Sequence, residues 1–383
     1  MRSQPSVRWV LEDAERGGGV ETVFRVLDAG LRSRGADSAV LSWLPAEQPA
    51  HSSGSVGWVW QRLVRAWHRD RLARNAASQL RERLTAEPNL VLVLEPGSFD
   101  VARRLAGRER WGIHVHRTPD LILRPWRHLA GERIPFGLRS VVRLRMRLVG
   151  SRQSRVLRTA PFLVSLTPSH TRALSGLQER IIEIPNPVEC EPVVTRSPPE
   201  PDGAVTVGYL GRLAYEKGPD VLVEALAGLD ASATGRVRVL FAGTGPLLDH
   251  VRAKAEALAP LDIGFLGWVG QPREFLDRVD VLVLPSRAEA VPLVLVEALA
   301  AGCRVVAADA GGGVRDVLQG GRLGAIVPVE DASAMADAIA SAVVAVRQAS
   351  DKRPDEIAAL ARRHSTASVT DTWLRTLAEL ADS

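Results

Sequence analysis

From Val205 onward the chain repeats one pattern six times: a short apolar run without regular polar alternation, a loop carrying Gly or Pro, and a stretch with helical spacing. The runs are 205–210, 237–243, 263–266, 279–284, 304–308 and 325–329. A strand that is apolar on both of its faces has to be covered on both faces, and such sheets are parallel, with helices in the crossovers. Pro219 and Pro246 stand where two of those helices should open, since proline loses nothing at a first helical position. The pattern predicts a doubly wound, Rossmann-like domain. Helices at 332–347 and 354–363 follow it.

The first half reads the same way, more faintly. A strand at 7–11, the run R-G-G-G at 16–19 and an apolar-periodic helix at 20–34 ending at Gly35 form a strand, glycine loop and helix. The dinucleotide fingerprint is absent, because the G-x-G-x-x-G spacing is missing. Gly18 and Gly19 let the backbone approach a ligand closely. Further strands are expected at 90–95, 111–116, 162–167 and 181–185. His116 ends the second of these, at the strand edge where open α/β sheets place ligands; His114, on the same face, reads as a core or supporting residue. The stretch 187–202, rich in Pro, Glu and Ser, is the linker candidate. The expected division is a first domain at 1–195, a second domain at 196–365, and a last amphipathic helix in 366–383.

With 383 residues the chain suits two domains better than one core. Apolar content of 46% and charged content of 24% describe a soluble globular protein. The run 7–11 is too short and too broken by Arg8 for a secretory signal, and no run approaches the roughly 20 apolar residues of a membrane helix. Two cysteines, Cys190 and Cys303, fit a reducing compartment, so the cytoplasm is the expected location. The formal charge is +5, yet no nucleic-acid-reading motif or surface aromatic interleaving accompanies it, so nucleic acid is not an expected partner. Two stretches concentrate arginine: 58–83, with Trp58, Trp60, Trp67 and seven arginines, and 139–158, with R-L-R-M-R-L-V-G-S-R. Basic amphipathic helices can lie on anionic membranes, which keeps a peripheral position at the inner membrane face open; the same residues also serve as long helices with solvated outer faces.

The segment 289–297, E-A-V-P-L-V-L-V-E, carries most of the functional information. If Pro292 opens a helix there, the amides of Leu293 and Val294 point from its positive end and suit a phosphate group. Glu289 precedes that site and Glu297 lies inside the helix. Their eight-residue separation, about 12 Å along a helix, rules out a close acid/base pair and leaves one free for a sugar and the other for a ribose. Arg212 and Lys217 follow the strand 205–210 across a loop ending at Gly218. A forked guanidinium and a mobile ammonium suit a diphosphate whose departure needs neutralising. Gly211, Gly243 and Gly245 permit close backbone approach beside it.

The E-x7-E element after a strand ending in Pro285-Ser286 resembles the retaining nucleotide-sugar glycosyltransferases of family 4, which have the GT-B fold: two Rossmann-like domains facing across a cleft. The segments G-Y-L-G-R-L-A-Y-E-K-G-P-D-V-L from Gly208, F-A-G-T-G-P-L from Phe241, F-L-G-W-V from Phe265 and E-A-L-A-A-G-C-R-V-V-A-A-D from Glu297 continue the match over about 205–339. Ala290 stands where the family has Gly, and N-P-V-E at 186–189 replaces N-G-V-D. The resemblance implies that 1–195 binds the acceptor, with the helix in 366–383 crossing back to it, and that 196–365 binds the donor; it implies Arg212 and Lys217 on the donor diphosphate, Glu297 on the ribose, His116 lining the cleft, the 16–19 loop opposite the donor, and catalytic roles for Glu289, Arg212, Lys217 and His116. It implies retention by front-face displacement. With two cations and a helix N-terminus available and no D-x-D at a strand end, no metal or other cofactor is expected. The segment 308–329 resembles a branch that often uses uridine-linked hexoses or N-acetylhexosamines, which favours UDP over GDP. The acceptor stays open among a lipid-linked glycan, a polysaccharide and a small molecule. Two other readings are a catalytically inactive nucleotide-sugar-binding regulator and a GT-B-type epimerase; a phosphorylase is disfavoured because the sequence shows no lysine-bearing pyridoxal site.

Overall fold

The computed structural model describes residues 5–14, 19–44, 57–116, 139–190, 200, 203–229, 235–348 and 353–382, excepting the side chains of 57–67 and 139–146. The chain divides into two compact units, Met1–Pro187 with Thr366–Ser383, and Val188–Ser365. The division falls at Pro187 rather than after 195. Val188 donates its amide to His364 O at 2.8 Å and bridges to Ser365, so the start of the expected linker belongs to the second unit.

In the first unit the strands β1 (Ser6–Leu11), β2 (Asp37–Ser42), β3 (Leu90–Leu94), β4 (Trp111–His114), β5 (Phe162–Ser165) and β6 (Ile181–Glu183) form a parallel sheet in the order β2-β1-β3-β4-β5-β6. Strand β2 was not expected from the sequence. It is a half-exposed edge strand, D-S-A-V-L-S, with too few apolar residues to show a run. One sheet face packs Leu90, Leu92, Leu94, Trp111 and Ile113 with Ala73, Ala77 and Leu84 of the long helix Gly57–Ala86. On the other face Trp9 meets Phe24 of helix Gly19–Ser33 at 5.2 Å and Trp373 of the closing helix Thr366–Ala381 at 4.9 Å. Aromatic pairs of this kind add about 0.5–1.5 kcal/mol each beyond area burial.

The second unit holds β7 (Val205–Leu210), β8 (Val237–Ala242), β9 (Asp262–Gly267), β10 (Val281–Leu284), β11 (Arg304–Ala308) and β12 (Ala325–Val327), parallel throughout, in the order β12-β11-β10-β7-β8-β9. Successive residues explain the missing alternation. Val281 and Val283 pack with Val205, Val207, Val306, Met335 and Ile339, whereas Leu282 and Leu284 pack with Leu295, Val296 and Leu299. Each such side chain contributes about 1.5–3 kcal/mol on full burial, so neither face tolerates a polar residue. Pro219 opens helix Pro219–Ala227 as expected. Pro246 does not open one: it sits in a turn and the helix runs Leu248–Glu256. Each unit is thus a parallel six-stranded, Rossmann-like sheet with helices in its crossovers.

Candidate active site

Three loops at the C-terminal edge of the second sheet lie backbone against backbone. Leu210 leads through Gly211 and Arg212 to a single 3-10 turn, Tyr215–Lys217, closed by Gly218 at φ 61°, ψ 32°. A Cβ at Gly218 would stand 2.1 Å from Pro285 O, so the residue before Pro219 is fixed both by its left-handed backbone and by the loop pressed on it. Gly243, at φ 133°, is equally constrained: a Cβ there would be 1.9 Å from Gly211 O. Leu213 N donates to Thr244 O at 2.9 Å and Gly243 N to Gly267 O at 2.6 Å, which ties the loops after β7 and β8 to each other and to the end of β9. Gly245 is held likewise against Leu213 O.

Lys217 and Glu289, 72 residues apart, meet in this edge: Lys217 Nζ donates to Glu289 Oε1 at 2.7 Å. The Ser286 hydroxyl donates to the same oxygen at 2.7 Å. The Glu289 side chain is 8% exposed and that of Lys217 33%, so a buried carboxylate is offset by a cation that still reaches solvent. The sequence reading placed Glu289 toward a sugar and Lys217 on a diphosphate without bringing them into contact. Tyr209 lies beneath, its hydroxyl donating to Arg212 O at 2.7 Å; burial, then the nearby Glu289, push its pKa up. Arg212 itself is exposed and makes no ion pair among the described residues. Arg287, which the sequence reading passed over, binds both oxygens of Asp220 at 2.9 and 2.8 Å.

The helix after Glu289 runs Leu293–Ala300, with Pro292 as N-cap at φ −76°, ψ 98° rather than as the first helical residue. Its ψ is extended because the chain is still leaving the loop that carries Glu289, whose amide donates to Ala310 O at 3.0 Å. Leu293 and Val294 are thus the first two helical residues, whose amides have no helical acceptor. A Cβ at Gly313 would lie 1.8 Å from Ala290 O, so a third backbone braces this loop. Glu297, one turn into the helix, is half-buried; burial, and next the charge of Glu189, push its carboxyl up to about 7.

In the first unit His116 lies just past the end of β4, buried, its ring stacked on His114 at 4.1 Å and edge-on to Phe24 at 4.9 Å. Burial, then His170, lower its pKa to about 3, and burial, then His116, lower that of His114, so both imidazoles are neutral at pH 7. His116 Nε2 has no hydrogen-bond partner among the described residues. Gly19 is the first residue of helix Gly19–Ser33 and is exposed; Gly18 lies outside the described residues. At the ends of β1 and β3, Glu12 N donates to Glu95 Oε1 at 2.9 Å, and Arg69 pairs with Glu12 and, at 3.1 Å, with Asp100. This polar knot was also missed: each residue is solitary in sequence. It uses one arginine of the 58–83 stretch, while Asp70 takes Arg74, Arg103 and Arg104. Trp58, Trp60 and Trp67, with Arg143 and Arg145, lie outside the described side chains. Helix Arg139–Thr159 exposes Arg147, Arg152, Arg155 and Arg158 around Leu148, which is 55% exposed.

Among the described residues no three His, Cys, Asp or Glu side chains converge as a metal site, and no helix is long and apolar enough to cross a membrane. The family model for glycosyl transferases group 1 matches residues 204–343, the sheet and loops just described. The D-inositol 3-phosphate glycosyltransferase of Stackebrandtia nassauensis is 30% identical over 356 residues, 84% of this chain and 76% of that protein. A GDP-mannose-dependent alpha-mannosyltransferase of Mycobacterium tuberculosis is 38% identical over 146 residues, 37% of this chain and 35% of that protein. The fold agrees with that of the lipopolysaccharide outer core galactosyltransferase WaaB in its apo form, at a TM-score of 0.70, 16% identity and coverage of 99% of this chain and 100% of that one. A relative aligned along most of both chains, together with a family model centred on the loops that bring Lys217 to Glu289, places the chain in the family 4, group 1 glycosyltransferases of GT-B fold, enzymes that transfer sugars from nucleotide-sugar donors.

Proposed function

We propose that the protein is a retaining, metal-independent hexosyl- or N-acetylhexosaminyltransferase, with its donor held by the loops of the second unit. The observation that supports this most is the convergence of Lys217, Ser286 and Glu289 at the C-terminal edge of the sheet. In this reading the donor diphosphate draws Lys217 away from Glu289, meets the exposed Arg212, and rests on the amides of Leu293 and Val294. Glu289, released from its cation, accepts hydrogen bonds from hydroxyls of the transferred sugar. Glu297 accepts from the ribose, and Gly211, Gly243 and Gly245 border the nucleotide. The sugar C1–oxygen bond to the diphosphate breaks as the acceptor oxygen bonds C1 on the same face, and the acceptor proton passes to the leaving phosphate. His116, neutral and with Nε2 unpartnered among the described residues, is assigned to a sugar hydroxyl. Two cations and a helix N-terminus supply the positive charge that a metal would otherwise bring, and no other cofactor is invoked.

For the donor, UDP is preferred on the segment 308–329; a GDP-mannose donor is the second reading, carried by the 38% identical mannosyltransferase relative. Thermal-shift titration with UDP, GDP and ADP tests both, since a ligand at 100 times its Kd adds about 2.7 kcal/mol. Stabilisation by GDP alone would remove the UDP assignment, and stabilisation by none would remove the donor site. The acceptor is a hydroxyl of a glycan, a lipid-linked sugar or a small molecule; the relative named for D-inositol 3-phosphate brings a phosphorylated cyclitol forward. The arginines around Leu148 support peripheral contact with the inner membrane face for a cytoplasmic enzyme.

A further inference from the structure

Arg287 makes a dense set of directed contacts and belongs to none of the roles above. Its Nε donates to Glu330 at 2.8 Å, Nη1 to Tyr215 O at 2.8 Å and to Asp220 Oδ1 at 2.9 Å, and Nη2 to Asp220 Oδ2 at 2.8 Å. Its guanidinium carbon lies 4.1 Å from the Tyr215 ring centroid. Its own amide donates to Glu216 O at 2.9 Å. The side chain is 12% exposed, so these contacts are made largely out of water. Glu330 holds its carboxylate there from a left-handed backbone at φ 62°, a conformation that non-glycine residues adopt at a cost.

The elements so joined are the turn that presents Lys217, the first turn of helix Pro219–Ala227, the loop that presents Glu289, and the turn after β12. Arg287 therefore grips the residues on either side of Lys217 and stands two positions before Glu289. We propose that Arg287 is a positioning residue: it clamps the Tyr215–Lys217 turn to the Ser286–Glu289 loop, so that Lys217 and Glu289 are held in register before a donor arrives. The inference rests on Lys217 acting on the donor diphosphate. A lysine cannot replace the clamp, because an ammonium lacks the planar fork that takes both Asp220 oxygens and lies flat on Tyr215.

Hydrogen exchange on Arg287→Lys and Arg287→Ala at a temperature where both remain folded is the first test. Exchange at 214–218 and 286–289 should quicken by at least ~10-fold while β7 and β10 keep their protection. The second is a kinetic cycle on nucleoside diphosphate release from UDP-glucose and GDP-mannose, with Lys217→Ala, Arg287→Ala and both together. Arg287→Ala should lower kcat by roughly 10²-fold, the size of effect that misplacing a reacting group by about an ångström produces. The double variant should be within about 3-fold of Lys217→Ala alone, since the clamp has nothing left to position. Multiplying losses in the cycle, a kcat for Arg287→Ala within about 3-fold of wild type, or exchange that quickens across the whole sheet would each overturn the inference. Normal turnover in Lys217→Ala alone overturns the donor reading and this role together, and is distinguishable because it needs no change at Arg287. Where Arg287→Ala does not fold, Arg287→Lys serves in both tests.

Discussion

Replacing Lys217 by alanine should injure the protein twice, and the two injuries can be separated. An ammonium about 4 Å from a departing phosphate charge contributes about 4 kcal/mol at an effective dielectric of roughly 20; losing one preorganised donor of this kind typically costs about 10²–10³ in kcat. Turnover of Lys217→Ala, read as nucleoside diphosphate released at saturating donor, should fall within that range. The second injury is to stability. Among the described residues, the Glu289 side chain, 8% exposed, keeps only the Ser286 hydroxyl once the ammonium 2.7 Å away is gone. A buried charged group left short of partners costs about 1–3 kcal/mol, which in a unit of this size lowers the melting temperature by roughly 2–4 °C per kcal/mol. Adding Glu289→Gln removes the uncompensated charge, so the double variant should regain most of the lost melting temperature and none of the lost turnover. Turnover within tenfold of wild type in Lys217→Ala would refute the catalytic argument. An unchanged melting temperature would refute the buried-pair argument by itself.

Other outcomes follow from the same loops. The folded pKa of Glu297, about 7, lies above the ordinary carboxyl value of 4.5; its contribution to folding is therefore fully present below about pH 4.5 and is lost as pH rises through 7. Glu297→Gln should raise the melting temperature of the donor-free protein at pH 8 and leave it unchanged at pH 4.5. If the carboxylate accepts from the ribose, nucleotide affinity should tighten between pH 6 and pH 8 in the wild type and stay flat in the variant; a wild-type affinity independent of pH removes that contact. Gly243→Ala meets Gly211 O and a positive φ together, so circular dichroism melts should show a loss of about 2 kcal/mol or more; a neutral outcome would mean that the loops are not packed as described. Co-sedimentation with anionic vesicles should be measurable at low salt and fall when Arg147, Arg152 and Arg155 are reversed to Glu, and failure to bind at low ionic strength removes the membrane reading.

The second unit was the more legible because its sequence has little freedom. Residues such as Val283 and Leu284 are buried in opposite directions, so the strand shows as an unbroken apolar run. Gly218 and Gly243 stand where another backbone leaves no room for a Cβ, so the motif appears as glycine. Pro219 announced its helix. Pro246 and Pro292 misled by one or two residues, because proline fixes φ but leaves ψ to the loop, and at Pro292 the ψ of 98° delays the helix. In the first unit β2 escaped notice because an edge strand with one solvated side needs few apolar residues.

What the sequence hides is pairing between residues of common type. Lys217 and Glu289 were each visible through a motif, yet nothing in either motif says that 72 residues of chain bring them to 2.7 Å. Arg287 lacked even that, since an arginine in a loop is ordinarily a solvated surface residue. Its only sequence signal is indirect. It stands between the Pro285-Ser286 pair that follows β10 and the acidic Glu289, while Asp220 sits in the first turn of a helix opened by Pro219. A forked cation in one loop and a carboxylate at the next strand's helix start are the two halves of a bidentate pair, once β7 and β10 are known to be neighbours. Strand order was therefore the missing datum: with it, Arg287 could have been matched to Asp220 from sequence, and without it the chain offers many arginines and no reason to choose this one.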